Sequence, residues 1–252
     1  MNPILIIANA TAREALRAKS VLLLIALYAV GVLLTPVIGW ISATDGRVVN
    51  TDLTFSLLSL IGVLVAVATG TALVHTEIQQ RTLYTVLSRP IERWHFILGK
   101  YIGLCAALIL GQAAMLMVAL GATELVGVGA SWYLVLAGVL IWLEVCIVAA
   151  ISLCLTSVAG PLLAAALSLA VYALGHAVHE LPHFMHHLEG WQNAIAVTFA
   201  SLIPDLGGLA YRNDAVYGEP PGKEQLIGAV LTTLWIILLV GISSMVMRRK
   251  QL

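Results

Sequence analysis

The residues best equipped for chemistry in this chain are a run of histidines and one isolated acid. His176, His179, His183, His186 and His187 fall within twelve positions, with Glu180 among them and Glu189 just beyond. Residues four apart share a helix face, so His179 with His183, and His183 with His187, have the spacing to hold Zn or Cu through imidazole nitrogens. The same side chains serve equally well as solvated or pH-responsive groups at a membrane interface. Pro182 argues against one regular helix through all five, and the run is not read as a zincin motif. Glu144 is the only acid well inside an apolar stretch. Carboxylates in hydrocarbon are costly and face a cavity or a partner, so Glu144 is either a candidate pathway residue or one half of a structural hydrogen bond between helices.

Other chemistries lack their residues. Gly99-Lys100 is not a phosphate-binding loop, because Trp94 stands where the first glycine is needed and Tyr101 where Ser or Thr is needed. The chain therefore carries no ATPase site, and any uphill work needs ATP and Mg on another subunit. No GxSxG elbow is present to make a serine nucleophile. Cys105, Cys146 and Cys154 have no paired spacing, which points to small buried apolar residues.

The elements that must position these residues follow from composition. Of 252 residues, 60% are hydrophobic and 10% charged, against a charged fraction of about a quarter in soluble domains. An all-α polytopic membrane protein is expected. A hydrocarbon core of about 30 Å takes about 20 apolar helical residues, which gives spans at 20–41, 53–75, 100–122, 132–156, 161–180 and 225–247 of one transmembrane domain, 1–252. With the N-terminus inside, Arg13, Arg17, Lys19, Arg81, Arg89, Arg93, Lys100, Arg248, Arg249 and Lys250 fall on the inner side. Only Arg47, Arg212 and Lys223 fall outside. That asymmetry sets both termini in the cytoplasm.

Between the spans, three segments have their own character. Residues 2–19 align Asn9, Arg13 and Arg17 on one face and Ile4, Ala8, Ala12 and Ala15 on another, the pattern of a helix lying on the inner leaflet. Residues 77–98 form a cytoplasmic segment in which Leu83, Leu87, Ile91 and Trp94 make an apolar stripe beside Arg81, Arg89 and Arg93. Pro90 divides it into a helix ending near Ser88 and a second short helix running into span 3. Residues 181–224 lie outside, and their apolar part, 194–203, is too short to cross, so 191–204 reads as a re-entrant or interfacial helix. Gly99 and Gly103 form a GxxxG pair, the pattern of a dimer face.

The layout resembles the six-span permease subunits of type-two ATP-binding-cassette exporters. The resemblance rests on Glu77, Arg81-Thr82-Leu83, Leu87-Ser88-Arg89-Pro90-Ile91, Arg93 and Leu98-Gly99-Lys100. The N-terminal helix, the outer re-entry and Leu202-Ile203-Pro204-Asp205-Leu206 are similar to that family as well. It implies that 77–89 is a coupling helix seated on a separate cytoplasmic ATPase, through Glu77, Arg81, Thr82, Leu83, Leu87, Ser88, Arg89, Pro90 and Arg93. It also implies two ATPases, a second permease chain forming a homodimer, and the bacterial inner membrane as location. A periplasmic partner is compatible with it; nucleic acid is not expected. A different class of protein, a metal-handling membrane protein or metalloenzyme using Cu or Zn at the outer histidines, is the alternative.

Overall fold

The computed structural model describes residues 3–41, 45–79, 93–185, 190, 198 and 203–249. Among them the secondary structure is helical throughout: α1 (Pro3–Arg17), α2 (Lys19–Ile41), α3 (Gly46–Gln79), α4 (Arg93–Val126), α5 (Trp132–Thr156), α6 (Pro161–Met185), a 3-10 turn (Gly207–Leu209), α7 (Arg212–Val216) and α8 (Lys223–Arg249). Six of these helices, α2 to α6 and α8, are long and apolar enough to cross a membrane. Backbone polar groups have no water to bond in hydrocarbon, so a chain this apolar closes its hydrogen bonds within each helix. We call the end with the 42–45 and 127–131 connections the hairpin end, and the end with Arg17, Lys19, Lys100 and the 157–160 turn the basic end.

Burial divides the six helices into centre and periphery. The most apolar stretch of α5 is 72% buried and that of α3 67%, whereas for α6 the share is 17%. Centrally, α5 touches α3, α4, α6, α7 and α8. The outer helices α2 and α8 expose Leu22, Leu23, Leu33, Leu34, Ile237 and Leu238, as helices facing acyl chains do. Hydroxyls inside the bundle bond back to their own helix: Thr54 Oγ1 donates to Asn50 O at 2.8 Å, Thr69 to Val65 O at 2.6 Å and Ser168 to Ala164 O at 2.7 Å. Such back-bonding lets polar residues sit in a dry interior without partners on other helices.

The first helix does not lie apart from the bundle. It packs along the first turns of α4, burying Ala8, Thr11 and Ala15, while Asn9, Arg13 and Arg17 remain exposed as their spacing predicts. The Gly99/Gly103 pair is what admits it. A Cβ at Gly99 would stand 3.0 Å from Ile4 O, and one at Gly103 would run into Ala8 O and lie 2.8 Å from Thr11 Cβ. The small-residue face is therefore occupied by this chain's own N-terminal helix.

Candidate functional site

Glu144 is the midpoint of α5, twelve residues from either end, which puts it about 18 Å from each at 1.5 Å per residue. It is 4% exposed, and two other helices meet it. Ser59 of α3 sets its hydroxyl 3.3 and 3.2 Å from the two carboxylate oxygens. His176 of α6 brings Nε2 to 2.8 Å of Oε1. Tyr172, one turn earlier on α6, lies with its hydroxyl 3.2 Å from Ser59 Oγ and its ring edge-on to the His176 ring at 4.9 Å. Since the serine has one proton, which it donates to Glu144, it accepts from Tyr172. The result is a closed polar knot joining α3, α5 and α6.

This knot bears on α6 above all. With few of its side chains buried, α6 has little apolar packing to fix it, so Glu144–His176 and Ser59–Tyr172 supply specific attachments to the core. The sequence singled out Glu144 and the histidines separately and did not pair them. Nor did it single out Ser59 or Tyr172, whose only signal is that they fall in phase with a buried face: Phe55, Leu58 and Ser59 on α3 are all under 4% exposed.

A second cluster closes the hairpin end. His179 Nδ1 lies 3.2 Å from Asp205 Oδ2, and Gly208 N donates to Asp205 Oδ1 at 3.1 Å. Leu206 N donates to Gly175 O at 3.2 Å. Gly207 sits so close beneath the His179 ring that a Cβ there would overlap it. Arg212 Nε donates to Asp52 Oδ1 at 2.8 Å, and the Tyr211 hydroxyl donates to Glu219 O. The segment 203–219 thus plugs the end of the bundle, reaching α3 through Asp52 and α6 through His179 and Gly175.

The histidine run is divided by this arrangement. His176 turns inward to Glu144 and His179 turns to Asp205. The side chain of His183, and His186 and His187 altogether, lie outside the described residues, and among those described no three His, Cys, Asp or Glu side chains gather. Helix α6 continues through Pro182 to Met185, the proline leaving the carbonyl of Val178 without its amide partner, and His186 and His187 lie beyond the described helix. One expectation needs correction. His179-Glu180-Leu181-Pro182-His183 has the His-Glu-x-x-His spacing after all, so spacing does not exclude a zincin reading.

At the basic end Lys100 is 2% exposed, with Nζ 2.7 Å from Leu73 O and 5.3 Å from the Phe96 ring centroid. It ties the end of α3 to the start of α4. The backbones of Glu77 and Arg93 belong to α3 and α4. Arg81, Thr82, Leu83, Leu87, Ser88, Arg89 and Pro90, like most of 191–202, lie outside the described residues.

Against known proteins, the family model described as ABC-2 family transporter protein matches residues 5–181. That match spans α1 to α6 and takes in Ser59, Glu144 and His176. No individual curated protein matches the chain.

Proposed function

Because the chain belongs to the ABC-2 transporter family and has six helices fit to cross a membrane, making it a permease subunit of an ABC transporter, we propose that it couples ATP hydrolysis on a separate cytoplasmic ATPase to movement of its helices. We assign the contact with that ATPase to residues 77–98, with Glu77, Arg81, Thr82, Leu83, Leu87, Ser88, Arg89, Pro90 and Arg93 at the interface. The observation that carries this is the Lys100–Leu73 contact. A push delivered between α3 and α4 moves two helices tied at that end, instead of being absorbed by one of them. With α1 seated on the start of α4, the unit that takes up the push has three helices.

The output of this lever is export, or a change of shape passed to a partner at the outer face. The excess of basic residues at one end supports cytoplasmic termini, and a bacterial inner membrane setting is part of the family reading. Two copies of the permease and two ATPases complete the assembly, closing as rigid bodies on ATP. Glu144 belongs to the pathway in this reading: a buried carboxylate attached to the least packed helix is a point where motion of α6 and passage of substrate meet.

The test is co-purification. A tagged chain brings down an ATP-hydrolysing subunit in mild detergent, and Arg81→Glu or Arg89→Glu abolishes that association while the permease stays folded. Survival of the complex in both variants refutes the assignment of 77–98.

A further inference from the structure

Between α4 and α8 the bundle leaves a cleft of about 400 Å³ that runs from Trp94 to Ile102 on one wall and from Ile236 to Ser244 on the other, with Tyr101 and Gly241 among its lining. We propose that this cleft is a binding site for one acyl chain of an anionic phospholipid, drawn from the leaflet that the basic end faces.

The walls are apolar even where the residues are not. Tyr101 donates its hydroxyl to Cys146 O at 3.1 Å, across in α5, so its polar tip is occupied within the bundle. Ser244 donates to Gly241 O at 2.7 Å, so its hydroxyl is satisfied on its own helix. On both helices the lining covers eight residue steps, 94 to 102 and 236 to 244, which is about 12 Å. That is close to the depth of one leaflet, about half of a hydrocarbon core of roughly 30 Å. The cleft suits a chain entering from the interface and ending near the bilayer midplane.

Charge selects the headgroup. Arg93 adjoins Trp94 at the start of α4, and Arg248 and Arg249 follow Ser244 by about one helical turn, so three basic residues belong to the end where a headgroup would rest. Each arginine near a membrane surface favours an anionic lipid by about fivefold. The tryptophan at the rim, amphipathic and suited to the interface, completes the arrangement. Arg93, Trp94 and Leu98 also belong to the segment assigned to the ATPase contact; because lipid retention is read on the permease alone, its failure leaves the co-purification test of that assignment untouched.

The experiment uses the full chain in nanodiscs of equimolar phosphatidylglycerol and phosphatidylcholine, extracted and read by native mass spectrometry. A Cβ at Gly241 meets no atom within 4 Å, so Gly241→Leu projects into the cleft without disturbing the helix, and Gly241→Ala serves as a control. Retained phosphatidylglycerol is expected in the native chain and in Gly241→Ala and is lost in Gly241→Leu. Arg93→Gln and Arg248→Gln each reduce the preference over phosphatidylcholine by about fivefold. As a second readout, brominated phosphatidylglycerol quenches Trp94 in a chain retaining only that tryptophan, and Gly241→Leu relieves the quenching. Equal retention of both lipids, insensitive to Gly241→Leu, overturns the proposal in favour of ordinary boundary lipid. A change of oligomeric state in Gly241→Leu overturns it in favour of a second copy.

Discussion

Coupling between Glu144 and His176 is the quantity on which the account of the polar knot turns. Interhelical hydrogen bonds in membranes average about 0.6 kcal/mol and reach about 1.7 kcal/mol. The Glu144–His176 contact, at 2.8 Å and from a carboxylate that is almost fully buried, belongs at the upper end of that range. Ser59, at 3.2 to 3.3 Å from both oxygens, belongs near the mean. A double-mutant cycle of Glu144→Leu and His176→Leu, measured by reversible unfolding of the full chain in mixed micelles, is therefore expected to give a coupling of about 1.7 kcal/mol. The corresponding cycle with Ser59→Ala is expected to give about 0.6 kcal/mol. Glu144→Gln keeps an acceptor for Ser59, so it leaves folding and association with the ATPase intact while altering transport. Additivity of Glu144 and His176 within about 0.3 kcal/mol would show that α6 is held by packing alone, and unchanged transport in Glu144→Gln would make the carboxylate structural only.

Two further substitutions probe the basic end. Lys100→Met preserves the apolar stem but removes the donor to Leu73 O; the chain folds, ATPase association persists, and ATP turnover loses its dependence on the state of the permease. Turnover coupled as tightly as in the native protein would dismiss the lysine as a tie. Gly103→Leu drives a side chain into Ala8 and Thr11, separating α1 from α4; overpacking of this kind costs about 1–3 kcal/mol. Protease accessibility of the first 20 residues should rise in this variant, while Gly121→Leu, whose Cβ meets nothing within 4 Å, should leave it unchanged.

Much of the architecture was legible in the sequence because a bilayer imposes its demands locally. Each span must be apolar over its own length, so six spans could be counted without knowing how they pack, and the exposed face of Asn9, Arg13 and Arg17 followed from spacing alone. Glu144 stood out for the same reason: one charge in a long apolar run is conspicuous wherever it points. What composition could not supply was the pairing of helices. Lipid is as apolar as the bundle interior, so burial leaves almost no mark on the sequence; Leu58 is fully buried and Leu33 is 74% exposed, yet both are leucines in leucine-rich helices. Only the crossing of α3, α5 and α6 gave Glu144 its partners Ser59 and His176, divided the histidine run between Glu144 and Asp205, and assigned the Gly99/Gly103 face to α1. Those contacts join residues up to 113 positions apart in the chain, and no local period encodes them.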